Sequence, residues 1–156
     1  MKVQPSDALT LALDTISDRW SLHVVRSLAL GSVRFTDIAT DTGAPRDILT
    51  SRLRHLVDDQ IAERRPYREG STREGYYLTD KGRDLARVIL VIKRWGDTYS
   101  AAEASRRPLV HITCGATFHA AIVCQECGQE IGDDAIRDVD PRNPADRSHR
   151  TRGRYL

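Results

Sequence analysis

Val88-Ile89-Leu90-Val91-Ile92 is the stretch of this chain that most restricts what it can fold into. Thr79 offers a hydroxyl cap shortly before it, and Leu85 and Trp95 extend the apolar content on both sides. The pattern predicts one long helix over 79–104. A helix that packs on a core needs a single apolar stripe, whereas this one is apolar nearly all round and must be covered on several sides. At 156 residues the chain has room for one domain and a small appendage, too little to cover that helix alone. A partner subunit is therefore expected.

The preceding residues divide into short helices. Asp7 caps a first helix carrying Ala8, Leu11, Ala12 and Ile16, and Asp18 opens a second with Trp20, Val24, Val25 and Leu28 toward the core. Gly31 stops that helix. Arg34-Phe35 is long enough for a strand stub, and Thr36 caps a short helix with Ile38 and Ala39 that ends near Thr42-Gly43. Pro45 suits the first turn of the next helix, 45–59, because its missing N–H would be unsatisfied there anyway. Ile48, Leu49, Leu53, Leu56 and Val57 form its apolar stripe, and Arg46, Asp47, Thr50, Ser51 and Arg54 its polar side. Residues 61–67 and 74–78 read as two strands, supported by Tyr67, Tyr76 and Tyr77. The fold class is mainly α with a small β-wing (α+β), a winged helix-turn-helix over 1–107.

Charge is arranged along this plan. Between Arg46 and Arg73 there are seven arginines against five acids, and from Arg137 to Leu156 six against three. The planar guanidinium fork suits phosphates and base edges, although any one of these residues is equally at home on a solvated surface. The combination of short helix, Gly43-Ala44 turn, polar-faced helix and arginine-tipped hairpin points to double-stranded DNA. The candidate DNA-binding residues are Arg46, Asp47, Thr50, Ser51 and Arg54 on the helix, with Arg68 and Arg73 at the hairpin tip reaching backbone phosphate or the minor groove.

Residues 7–100 resemble the HxlR-type winged-helix regulators of bacteria, a branch of the MarR-like group. The likeness is carried by Ala12-Leu13-Asp14-Thr15-Ile16-Ser17-Asp18-Arg19-Trp20-Ser21, Arg34-Phe35-Thr36-Asp37-Ile38 and Leu49-Thr50-Ser51-Arg52-Leu53-Arg54-His55-Leu56. It continues in Glu63-Arg64-Arg65-Pro66-Tyr67, Tyr77-Leu78-Thr79-Asp80-Lys81-Gly82 and Trp95-Gly96-Asp97. The resemblance implies a homodimer built on the first and the long fifth helix, a near-palindromic operator, and repression of a nearby gene in response to a small molecule or other signal. The redox cysteine that many members carry near the start of the first helix is replaced here by Asp7, followed by Ala8. Their usual route of thiol sensing is thus closed. Ser17 stands where glycine is common, and Gly70-Ser71-Thr72 lacks the usual wing proline, which implies a wing freer to move.

Enzyme chemistry finds little support. No Gly-x-Gly-x-x-Gly or Walker-type loop occurs, and Asp58-Asp59 and Asp133-Asp134 are paired only in sequence. His23, His55 and His149 belong to no constellation of nucleophile and base. No run approaches the roughly 18 apolar residues of a membrane span. The segment Met1-Lys2-Val3-Gln4-Pro5 lacks a signal-peptide core, so a cytoplasmic protein is expected. The alternative function is a metal- or ligand-sensing protein whose DNA binding is vestigial.

Arg106-Arg107-Pro108 ends the long helix and opens a small unit over 108–136, followed by a basic tail, 137–156, with too few apolar residues to fold. His111-Ile112-Thr113-Cys114-Gly115 and Cys124-Gln125-Glu126-Cys127-Gly128 share one plan: two ligand residues, two between them, and glycine after the second. Three cysteines argue against a disulfide framework. One histidine and three cysteines (His111, Cys114, Cys124, Cys127) match a closed tetrahedral zinc shell, making this a zinc-ribbon-like hairpin with a structural metal. His119 is a rival ligand without the paired spacing, and a metal-free hairpin with reduced thiols is the competing reading.

Overall fold

The computed structural model describes residues 7–16, 18–67, 72–99, 108–132 and 136. The expected hairpin tip with Arg68, the end of the long helix beyond residue 99, and the basic tail lie outside them. Two compact units divide the chain between Lys93 and Arg94.

In the first unit the caps act largely as their residue types dictate. Helix α1, Ala8–Ile16, follows Asp7, whose carboxylate accepts from the Leu9 N–H at 3.4 Å. Helix α2, Arg19–Ala29, is capped by Asp18, which accepts from the N–H groups of Trp20 and Ser21 at 2.8 and 2.9 Å. Gly31, with φ of 99°, turns the chain after it. Helix α3, Phe35–Thr42, begins one residue before the expected cap. Arg34 takes the extended cap conformation without a side-chain hydrogen bond, and Thr36 lies inside the helix, its carbonyl accepting from the Thr40 hydroxyl. The strand-like contact also sits earlier than Arg34-Phe35, since the Val33 carbonyl accepts from the Tyr76 N–H at 2.8 Å.

Gly43 closes α3 with φ of 65°, a backbone state that disfavours a side chain. Helix α4, Arg46–Asp58, has Pro45 as its cap residue, and the Pro45 carbonyl accepts the first helical bond from Leu49 N–H. Strands β1, Ala62–Pro66, and β2, Glu74–Leu78, pair antiparallel with Ala62 opposite Leu78 and Pro66 opposite Glu74. Helix α5, Asp80–Tyr99, follows Thr79, whose hydroxyl accepts from the Gly82 N–H at 3.1 Å.

The core is contiguous. Val24 and Val25 from α2, Ile38 from α3, and Leu49, Leu53 and Leu56 from α4 are fully buried with Ile61, and Leu78 and Ile89 close the cluster. These residues repeat at helical spacing, so each helix turns one stripe inward and leaves its polar side in solvent. The second unit holds the end of α5 and two tight turns within 108–132. Among those 25 residues Ala120 alone is buried.

Candidate nucleic-acid interface

Helix α4 presents the surface expected of it. Leu49, Leu53 and Leu56 point into the core, which leaves Arg46, Asp47, Thr50, Ser51 and Arg54 all exposed on the opposite side. The guanidinium of Arg46 lies over the Phe35 ring, 5.2 Å from its centroid, which ties the start of α4 to α3. Thr50 donates its hydroxyl proton to the Arg46 carbonyl at 2.8 Å. With that proton engaged and the side chain exposed, the hydroxyl oxygen is left to accept, for example from a base amino group.

The α3–turn–α4 element is held from behind by polar contacts that periodicity does not reveal. Asp41 accepts from the hydroxyls of Ser27 and Ser32, fixing the end of α3 to the end of α2. In the turn the Ala44 N–H donates to the Thr42 hydroxyl at 3.2 Å. Arg52 Nε lies 3.5 Å from Asp18, buried and without a hydrogen bond, so an ionic attraction joins α4 to the start of α2. Burial alone pushes the Asp18 carboxyl upward. The Ser21 hydroxyl and N–H, the Arg52 charge and the Trp20 N–H together outweigh it and hold Asp18 below its ordinary value of 3.8.

The strand pair adds a second basic surface. Arg64 faces Tyr76 across the ladder and lies over its ring at 5.3 Å, and Arg65, ion-paired with Glu63, lies over Tyr77 at 5.2 Å. Arg34 stacks on Tyr67 at 4.2 Å. These three exposed arginines were not among the expected contact residues, because their stacking on tyrosines depends on which residues the strand pairing brings together. Arg73 is exposed beside β2, and its carbonyl accepts from the Tyr67 N–H at 2.8 Å, extending the ladder toward the tip.

The candidate metal ligands lie in the second unit as two pairs. His111 Nδ1 is 3.3 Å from Cys114 Sγ. At Cys124 the backbone N–H of Cys127, then that of Glu126 and the Cys127 thiol, point at the sulfur and hold its thiol below the usual cysteine range. Among the described residues no three histidine, cysteine or carboxylate side chains converge on one point.

The family model for the HxlR-like helix-turn-helix matches residues 15–104. The uncharacterised HTH-type transcriptional regulator Rv3095 of Mycobacterium tuberculosis is 39% identical over 131 residues, which span 83% of this chain and 81% of that one. The crystal structure of PA1607, a candidate transcription factor, shares 31% identity at a TM-score of 0.75, covering 86% of this chain and 95% of its own. The redox regulator HypR in its reduced form matches at 27% identity and a TM-score of 0.52, over 59% of this chain and 92% of its own.

Proposed function

This chain belongs to the HxlR-like helix-turn-helix family of transcriptional regulators, and on that premise we propose that it is a homodimeric repressor of a nearby gene, acting in the cytoplasm on a near-palindromic operator. The observation that carries the reading is α4. One side supplies Leu49, Leu53 and Leu56 to the core, and the other carries five exposed polar side chains directly after a helix-turn-helix bend. In this reading Arg46, Asp47, Thr50 and Ser51 enter the major groove with Arg54 one turn behind. The stacked arginines Arg34, Arg64 and Arg65, with Arg68 and Arg73 at the wing, hold phosphates. The rings beneath three of them pre-order the guanidinium groups, so less side-chain entropy is lost on binding.

Two exposed apolar surfaces support the dimer. Along α5, Val88, Ile92, Trp95 and Tyr99 are 49%, 45%, 66% and 74% exposed and recur at helical spacing, while Ile89 faces the core. Along α1, Leu9, Leu11 and Leu13 are exposed and no residue is buried. A signal molecule seated among the apolar side chains of the paired long helices completes the proposal. Any response to oxidants runs through the second unit, because the three cysteines of the chain all lie there.

The test is binding of the purified chain to its own upstream DNA at two salt concentrations, with a footprint. Salt-dependent binding to random duplex, and protection of two half-sites about 34–36 Å apart, are expected of a regulator of this kind. Absence of salt-dependent binding to any duplex overturns the reading in favour of a sensor that has lost its DNA contacts.

A further inference from the structure

We propose that the C-terminal unit holds one structural zinc ion through His111, Cys114, Cys124 and Cys127, and that this unit is built by a thirteen-residue repeat whose halves each supply half of the site. The repeat is visible in the backbone. His111 N–H donates to the Ala116 carbonyl at 2.9 Å and Cys124 N–H to the Gln129 carbonyl at 2.9 Å. Gly115 N–H bonds back to His111 and Gly128 N–H to Cys124, both at 2.8 Å, and both glycines are left-handed, with φ of 70° and 72°. Outside the turns Phe118 N–H donates to Leu109 and Ile131 N–H to Ile122. Val110 pairs with Thr117 in one half and Val123 with Glu130 in the other.

Between the two turns most side chains differ: Ile112-Thr113 against Gln125-Glu126, and Ala116 against Gln129. A metal donor at the first and fourth positions and a glycine after it are what the turns hold in common. Reversing the chain requires the glycine, because of its positive φ. It does not require imidazole or sulfur. Separation supports the same conclusion. In a tetrahedral site with Zn–N of about 2.0–2.1 Å and Zn–S of about 2.3 Å, neighbouring nitrogen and sulfur ligands stand about 3.6 Å apart. The His111–Cys114 pair, at 3.3 Å, is close to that, while the two pairs do not converge on one point in this structure, so a shared metal has to draw the halves together.

Packing supplies the need. Residues 108–132 bury one alanine, while Val110, Ile112, Ile122 and Val123 are at least half exposed. A unit without a core requires a cross-link to stay ordered. A bond between Cys124 and Cys127 would link residues of one turn and leave the other turn unsecured. A metal shared by both turns joins the halves, and its binding is then coupled to their closure. His119 is not a ligand, since its counterpart in the second half is Gly132. Three thiolates and an imidazole select zinc over magnesium or calcium, and four protein ligands leave no open position for catalysis.

The experiment uses the full chain, purified under reducing conditions without chelator, with metal content measured and cobalt added to the stripped protein. One zinc per chain and the visible absorption of tetrahedral thiolate-bound cobalt are expected. Cys114→Ser and Cys124→Ser, one from each half, should each weaken zinc binding by at least about tenfold, and His119→Ala should leave it unchanged. Chelation should speed hydrogen exchange in 108–132 and leave helices α2 to α4 protected, which separates this result from any failure of DNA binding. Less than a tenth of an equivalent in the purified chain, with no uptake on adding zinc, overturns the proposal. So does full retention of zinc by Cys114→Ser.

Discussion

Asp18 shows how much one carboxylate decides. It caps α2 through two N–H groups, accepts from the Ser21 hydroxyl and attracts Arg52 from α4. Replacing it with alanine removes the cap and leaves a buried guanidinium nitrogen without its charge partner. The expected loss is about 1–2 kcal/mol in chemical denaturation at neutral pH. The pH dependence has a definite sign. The folded carboxyl titrates below its unfolded value, so its contribution is complete above the ordinary carboxylate range and vanishes as pH falls through the folded value. The stability gap between wild type and Asp18→Asn should therefore be constant from roughly pH 7 to 5 and narrow below about pH 4. A gap that does not change with acid would show that the charge of Asp18 adds nothing. On the outer face of α4, Arg46→Ala and Thr50→Ala should each alter operator preference by about 1–3 kcal/mol, as loss of a base contact does. Arg65→Ala or Arg73→Ala should weaken all sequences alike and reduce the salt slope by about one. Four variants indistinguishable from wild type in a competition assay would remove α4 and the wing from their assigned roles.

At the scale of elements, the joint between α4, β1 and α5 is where local geometry is most demanding. Gln60 follows α4 with φ of 58°, and its N–H and that of Ile61 return to the carbonyls of Val57 and Leu56, the Schellman arrangement in which glycine is usual. Gln60→Gly should raise stability by about 0.5–1 kcal/mol, seen as a higher Tm, because the left-handed cost of a side chain exceeds the added freedom of the unfolded chain. Gly82 shows the opposite constraint. A Cβ there would stand 2.1 Å from the Ile61 carbonyl oxygen, which already accepts from Thr79 N–H. Gly→Ala within a helix ordinarily stabilises by about 1 kcal/mol, yet Gly82→Ala should destabilise by roughly 1–3 kcal/mol. A raised Tm would mean that the helix shifts freely away from Ile61. These two positions also mark the limit of what was legible beforehand. Helix spacing, the Asp18 and Thr79 caps and Gly43 were readable because each reflects a local preference. Nothing in Gln60 announces a left-handed residue, and the Asp18–Arg52 and Asp41–Ser27 contacts join residues whose proximity exists only after the helices pack. The exposed side of α4 was likewise legible from periodicity, whereas the arginine–tyrosine stacks needed the strand register.

For the whole molecule the deciding quantity is the apolar surface that one chain leaves uncovered. The stripe Val88, Ile92, Trp95 and Tyr99 runs along one side of α5, with the Trp95 and Tyr99 rings 5.8 Å apart. In the proposed dimer a two-fold axis brings each residue of the interface into play twice, so a single substitution acts on both subunits. Burying an isoleucine side chain contributes about 1.5–3 kcal/mol. With Ile92 45% exposed in the single chain, Ile92→Asp removes roughly 1–3 kcal/mol of apolar burial from the pair of subunits and adds the larger cost of two carboxylates facing an apolar surface. The dimer dissociation constant should rise by more than about a hundredfold, measured by sedimentation equilibrium. Circular dichroism should change little, because residue 92 is exposed in the single chain and the core of Leu49, Leu53 and Leu56 does not depend on it. Operator affinity should fall with the dimer, since two recognition helices fixed one DNA turn apart bind as a unit and a lone helix does not. A wild-type chain that sediments as a monomer at micromolar concentration contradicts the proposed dimer directly. An Ile92→Asp variant that stays dimeric moves the interface away from α5 and onto the exposed leucines of α1.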